Sequence, residues 1–121
     1  SDVCSSDLTG TINYDVLTQS VVYYTSNSTS NWTINVRGNG STTLNSLMAV
    51  GETRTITFIS TQGATGYYNT VLNIDGTLVS PSWQGHYTPT TGNTSSLDVY
   101  TYVIIKTASS TYTVLASLIN F

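Results

Sequence analysis

Few side chains in this sequence could take part in nucleophilic or acid–base chemistry. The 121 residues contain one imidazole, His86, and one thiol, Cys4. A serine or threonine nucleophile needs a base held beside it, and a single histidine in a loop provides no pattern for that arrangement. The G-x-S-x-G turn that presents a nucleophilic serine does not occur in the sequence. We therefore expect no catalytic residues and predict that the protein is not an enzyme.

Four carboxylates follow residue 8, and glycoside hydrolysis would need two of them to act as a pair. Asp75 belongs to a hairpin turn signal, and Glu52 stands where a strand is expected to begin. Asp15 and Asp98 lie within predicted strands, on faces expected to point to solvent or to a neighbouring subunit. These structural roles leave an envelope glycan hydrolase as a distant alternative.

Metal and cofactor sites are not predicted either. Zinc sites need clustered histidines and cysteines, and calcium loops need a D-x-D-x-D-G pattern, and neither occurs in the sequence. Asp75 and Asp98 could share an ion only if folding brought them together. We expect no cofactor.

An aromatic, weakly charged loop is the feature best suited to binding. Residues 81–93 contain both prolines, and a second aromatic pair follows a glycine-containing loop. Saccharide-binding proteins commonly stack a sugar on an aromatic ring and fix its hydroxyls with amide side chains. The alternative is that the tryptophan closes one end of the fold and the tyrosines cover the edges of the core. The predicted ligand-binding residues are Trp83, Gln84, His86, Tyr87, Tyr67 and Tyr68.

The strand that begins near residue 97 suggests self-association. Its core face is predicted from aliphatic residues at alternate positions, namely Leu97, Val99, Val103 and Ile105. The opposite face then carries Tyr100, Tyr102 and Ile104, which would be an unusually apolar strip on a wet surface. We predict that these three residues form a subunit interface in a homo-oligomer, with a trimer favoured. A strand buried on both faces within one chain is the equal alternative.

Composition restricts the other partners. Charged residues make up 7% of the chain, the formal net charge is −3, and the cations are Arg37, Arg54 and Lys106. Because three cations cannot neutralise a run of phosphates, nucleic-acid binding is not expected. The sequence has no apolar run of about 20 residues that could span a bilayer, and we expect no membrane partner. A surface of Ser, Thr, Asn and Gly suits an extracellular protein or the exterior of a virion.

The elements that would position these residues are β-strands. From Thr11 onward apolar and polar residues alternate with period two, as in Trp32, Ile34 and Val36. Residues 43–48 are the one place where a short helical turn competes. Asp75-Gly76 predicts a two-residue hairpin, because a type I′ turn needs positive φ at both positions. We predict an all-β fold, an antiparallel β-sandwich or jelly roll of about eight strands, over residues 9–121.

The first eight residues, SDVCSSDL, differ from the rest because they have no apolar period. Their codons can be written as a nucleotide sequence that resembles the end of a widely used sequencing adapter. We therefore expect residues 1–8 to be a disordered leader left by the assembly of metagenomic reads, and we assign no chemistry to Cys4.

Three runs of the chain resemble a module of virion proteins from marine tailed phages, among them fibre and tail proteins of phages that infect cyanobacteria. The runs are NVRGNGSTTLNSLMAVGETRTITFIS, TQGATGYYNTVLNIDGTLVSPSWQG and LDVYTYVIIKTASSTYTVLASLINF. The positions that carry the resemblance are Gly38, Leu44 to Met48, Gly51, Thr61 to Gly63, Tyr67-Tyr68, Asp75-Gly76, Trp83 to Gly85 and Lys106 to Ser109.

The resemblance implies a non-enzymatic component of the virion, often trimeric and often at the end of a fibre. We expect the C-terminal part of a phage fibre or tail protein, with other virion proteins and a host surface glycan as candidate partners. A capsid or tail decoration domain without a ligand is the alternative.

Overall fold

The computed structural model describes residues 2–121, and in that range it contains nine β-strands, one α-helical turn and one 3-10 turn. The strands are β1 (Asp2–Cys4), β2 (Leu8–Asp15), β3 (Val21–Arg37), β4 (Thr53–Thr61), β5 (Asn69–Ile74), β6 (Thr77–Leu78), β7 (Ser82–Trp83), β8 (Leu97–Ala108) and β9 (Thr111–Asn120). The helical turn α1 (Leu44–Leu47) lies between β3 and β4, and the 3-10 turn (Gln84–His86) follows β7.

Strand β3 connects two sheets, because its two halves have different neighbours. Residues 21–27 pair with β1 and β4, whereas residues 28–37 pair with β2 and β5. The large sheet has the order β1, β3, β4, β8, β9, β7, and the small sheet has the order β2, β3, β5, β6. The two sheets enclose one core, so the predicted all-β sandwich class is confirmed.

The expectation of purely antiparallel pairing is wrong. Strand β3 runs parallel to β1, β2, β4 and β5, and β7 runs parallel to β9, while β4, β8 and β9 are joined antiparallel. Residues 26–31 lie in the middle of β3, and there the strand crosses from the large sheet to the small one. The parallel neighbours of β3 are therefore linked through the opposite sheet and not by the crossover helix that usually joins parallel strands.

The core is built from apolar side chains on the facing sides of the two sheets. Trp32 of the small sheet stacks on Phe58 of the large sheet with ring centroids 5.8 Å apart, and meets Tyr100 edge to face at 5.8 Å. All three side chains are at most 1% exposed. Aromatic pairs at such distances add to the stabilisation that burial provides.

Strand β8 faces the core with the side opposite to the predicted one. Tyr100, Tyr102 and Ile104 are fully buried between the sheets, so their assignment to a subunit interface is wrong. Asn69 explains how the core accommodates the two phenols. Its backbone N–H donates to the Tyr100 hydroxyl at 3.2 Å, and the Tyr102 hydroxyl donates to its Oδ1 at 2.6 Å. Burial raises the pKa of both tyrosines above the ordinary value.

Two local predictions are confirmed. The helical turn α1 begins after Thr43, whose hydroxyl accepts a hydrogen bond from the N–H of Ser46. The Asp75-Gly76 hairpin joins β5 to β6 with φ of 51° and 80°, as a turn with two positive φ angles requires. Residues 2–121 include no helix with the length and hydropathy of a membrane span.

The beginning of the described chain is ordered, contrary to the expectation of a disordered leader. Strand β1 pairs with Val22 to Tyr24, and Leu8 is fully buried in the core. The adapter origin of residues 1–8 stays a prediction.

Candidate functional site

Trp83 lies at one edge of the large sheet, where it joins the core to the surface. It ends β7, which pairs with β9 through Ala116. The indole meets Tyr100 edge to face at 6.4 Å and Tyr102 at 5.8 Å. One side of the indole is therefore held by two buried rings, and the half-buried remainder contributes to the surface.

The 3-10 turn after Trp83 reverses the chain and projects an aromatic ring outward. Gly85 and His86 both have positive φ, 63° and 62°, and the N–H of Tyr87 donates to the carbonyl of Gln84 at 3.3 Å. The left-handed conformation suits glycine at position 85. As a result the Tyr87 side chain is 85% exposed, an unusual position for a tyrosine.

Trp83 lines several clefts, two of which contain predicted ligand-binding tyrosines. The Tyr87 cleft, of about 460 Å³, lies between the turn and the end of β9 and is lined by Trp83, Gln84, Tyr87 to Thr91, Asn93, Leu118 and Asn120. The Tyr68 cleft, of about 390 Å³, lies toward β5 and β6 and is lined by Tyr68 to Leu72, Leu78 to Pro81, Trp83, Thr88 and Pro89. Every residue that lines either cleft is uncharged.

Two amide side chains of the Tyr87 cleft are oriented by one buried carboxylate. Asp98 is fully buried, and its Oδ1 accepts from Asn93 Nδ2 at 2.8 Å and from Asn120 Nδ2 at 3.2 Å. Among residues 2–121 the Oδ1 atoms of Asn93 and Asn120 have no hydrogen-bond partner. These two carbonyl oxygens are therefore available to accept hydrogen bonds from the hydroxyls of a ligand.

The expectation that Asp98 faces solvent or a neighbouring subunit is wrong. Its Oδ2 accepts from Gln62 Nε2 at 3.1 Å and from the backbone N–H of Asn93 at 3.0 Å. Gln62 in turn bonds Ser28 and the backbone of Tyr67. A buried carboxylate is tolerated when its oxygens are fully hydrogen-bonded, and here it ties together β3, β8, β9 and two loops.

The other three carboxylates also have structural partners. Asp15 forms an ion pair with Arg37, with 2.7 Å between Oδ1 and Nε, and this contact raises the pKa of Arg37. Glu52 accepts from the N–H of Ala49 at 2.7 Å. Asp75 accepts from the first N–H groups of α1, so it is not placed to share an ion with Asp98. In the described range, residues 2–121, no three His, Cys, Asp or Glu side chains could together hold a metal ion.

The structure brings together part of the predicted ligand-binding set. Trp83, Gln84 and Tyr87 line one cleft, and Tyr68 lines the adjoining one. The two remaining members, His86 and Tyr67, lie apart from these linings, His86 exposed on the turn and Tyr67 packed against the core.

Sequence reasoning missed Asn93 and Asn120. Asn120 reaches the cleft because the antiparallel register of β8 and β9 places it opposite Asp98. Asn93 precedes Asp98 by a loop whose path depends on the same carboxylate. The sequence indicates only that Asn120 and Asp98 lie in neighbouring strands of one hairpin. Without the strand register, that observation does not predict that their side chains meet.

Comparisons with protein-family models, with curated proteins and with solved structures found no match for this chain.

Proposed function

We propose that this domain is a non-catalytic structural module of a phage virion, the C-terminal part of a fibre or tail protein. In this proposal it self-associates and contacts an uncharged saccharide of the host envelope through the Tyr87 cleft. The observation that carries the binding role is the combination of one exposed aromatic ring with preset amide acceptors in a cleft of neutral residues.

The Tyr87 cleft has the complementary groups that a sugar requires. The exposed ring of Tyr87 offers a flat apolar surface for the C–H face of a pyranose. Gln84 provides both amide donors and an acceptor, and Asn93 and Asn120 provide oxygens that Asp98 holds in place. Because Asn93 and Asn120 are held by Asp98 before the ligand arrives, ordering them on binding loses little conformational entropy.

The charge of the cleft selects the class of saccharide. A phosphorylated or sulfated ligand would need a cation beside its anionic group, and the lining residues are all uncharged. The buried Asp98 carboxylate behind the two asparagines also disfavours an anion at this position. A neutral glycan is therefore the proposed ligand class.

The virion role rests on composition and on the resemblance to phage structural modules. A surface with few charges is suited to a permanent assembly, in which net charge is not needed to keep chains apart. The structural partners of Asp15, Glu52, Asp75 and Asp98 support a non-catalytic role, because each carboxylate already serves a fold contact.

A decoration domain of the capsid or tail, without a ligand, is the second candidate. The packing of Trp83 against Tyr100 and Tyr102 favours it, since an indole that closes one end of the core needs no ligand to explain it. In that case Tyr87 would be exposed without a role.

A glycan array and adsorption to intact host cells test the binding role. We expect the full chain to bind neutral glycans and Tyr87→Ala to lose at least about tenfold in affinity, the loss of about 1.4 kcal/mol expected for one stacking ring. Phe121→Ala is the matched control, because Phe121 is an aromatic side chain that is 74% exposed outside the cleft. Absence of any saturable adsorption by the wild-type chain would leave the decoration domain as the better proposal.

A further inference from the structure

The outer face of the large sheet points away from the core. It is formed by the odd-numbered residues of β4, β8 and β9, together with the odd-numbered residues of β3 up to position 25. The even-numbered residues of β4 and β8 are mostly buried, whereas the odd-numbered ones are half-buried or exposed. Every odd-numbered residue in these strands is Thr, Ser, Val, Ile, Leu or Tyr. The outer face is therefore entirely uncharged and rich in β-branched side chains.

Apolar residues on the outer face form one row across four strands and a shorter row across two, with Thr57, Thr101 and Ser117 between them. The register places Tyr23 beside Ile59, Ile59 beside Val99, and Val99 beside Ile119. A second row joins Val103 to Leu115. Ile119 and Leu115 remain 49% and 47% exposed. Apolar side chains aligned in a row across neighbouring strands indicate an interaction surface, whereas apolar residues scattered singly do not.

The size of the outer face is close to that of a specific interface. Four strands about 4.8 Å apart and about eight residues long, at about 3.4 Å per residue, project roughly 500 Å². The pleat and the short strands β1 and β7 add to this area. A standard stable interface takes about 800 Å² from each partner, so the face approaches what a dimer needs.

We propose that the outer face of the large sheet packs against the same face of another copy of this chain. A face without charge has no electrostatic means of selecting a different protein, but it is complementary to itself in polarity and flatness. Two such sheets can stack about 10 Å apart with their strands about 30° from alignment. A contact between identical surfaces closes on itself by symmetry, which gives a defined oligomer.

This assignment rests on the self-association in the proposed function and replaces Tyr100, Tyr102 and Ile104 as its surface. It does not involve Tyr87, Asn93 or Asn120, although Trp83 and Gln84 border both surfaces. Variants at Tyr87 and at Val99 therefore test the two roles at residues that belong to one surface only.

Light scattering of the full chain tests the assignment. We expect a mass of twice 13.0 kDa for the wild type and of a single chain for Val99→Lys. Opposed lysines in a charge-free contact should weaken association at least about 100-fold. Val50→Lys is the matched control, because Val50 is 64% exposed and lies in the loop before β4, not among the outer-face residues; it should keep the oligomer.

Circular dichroism must show that Val99→Lys is folded. If it is not, Ile119→Lys carries the same test, since Ile119 lies in the same row at a half-exposed position. A wild-type chain that stays monomeric up to millimolar concentration would overturn the proposal, as would an oligomer that neither lysine variant weakens. Retained glycan binding by the monomeric variant would show that the two roles are separate.

Discussion

The two faces of strand β8 have opposite characters, and the more polar face is the buried one. Asp98, Tyr100, Tyr102 and Lys106 point into the protein and are at most 7% exposed. The side chains on the other face are mostly apolar, such as Val99 and Val103, and both of these are only half-buried. Hydropathy alone would place these two faces the other way round.

The difference shows that burial in this domain is decided by partners. Lys106 donates to the carbonyls of Asn45 and Met48 at 2.7 Å each and so satisfies the end of α1. Asp98 and the two tyrosines likewise find donors or acceptors on other strands and loops. A polar group with its hydrogen bonds complete can be buried at little cost. The apolar face lacks such a partner within the chain, and we propose that a second copy supplies it.

The largest expected effect comes from removing the Asp98 carboxylate from the hydrogen-bond network on the buried face of β8. Asp98→Ala should lower the free energy of unfolding by about 3–4 kcal/mol, because the buried Gln62 side chain and the partly buried backbone N–H of Asn93 lose their carboxylate acceptor. Urea unfolding measures the change. Asp98→Asn keeps the shape and part of the acceptors and should cost less. A loss below about 1 kcal/mol for Asp98→Ala would mean that the network contributes little.

A smaller effect is expected at Tyr102, the centre of the same face. Tyr102→Phe should cost about 1–2 kcal/mol at pH 7, because Asn69 Oδ1 loses its donor. Tyr87→Phe, on an exposed ring, should cost almost nothing. Urea unfolding of the two variants measures the difference, and equal costs would contradict the importance of the buried hydrogen bond.

The burial of Tyr102 also allows us to predict how the free energy of unfolding changes with pH. Burial raises the pKa of Tyr102 and Tyr100, so the folded protein keeps both protons where the unfolded chain releases them. Their contribution is fully present below about pH 10, the ordinary tyrosine value, and is lost as the pH rises above it. Unfolding curves at a series of alkaline pH values should show a steeper decline for the wild type than for Tyr102→Phe.

The sequence was sufficient for features with local causes. Period-two alternation predicted the strands and the sandwich, the Asp75-Gly76 pair predicted its hairpin, and residues 43–48 predicted the helical turn. Each of these depends on residues that are neighbours in the chain. The loop with Trp83, Gln84 and Tyr87 was also located, because prolines and aromatic residues mark it in the sequence.

Features with distant causes were not predictable. The orientation of β8 depends on hydrogen bonds to Asn69, which lies about thirty residues away in the sequence. In addition, neither face of β8 carries a run of small polar residues that would identify the solvent-facing side. Asn120 enters the Tyr87 cleft through strand register alone. Strand β3 has parallel neighbours because it passes from one sheet to the other. The alternation of apolar and polar residues does not show that passage.

The smallest expected effect is the one that most directly compares the two faces. Val103→Thr on the outer face should change the stability of the single chain by less than about 0.5 kcal/mol, because the new hydroxyl remains solvated. Val114→Thr, the same change on the inner face of the neighbouring strand, buries a hydroxyl where Val114 is 1% exposed and should cost about 1–3 kcal/mol. Both values are measured by urea unfolding in dilute solution. Equal costs would mean that the outer face is covered within the single chain, which would remove the reason to assign it to a second copy.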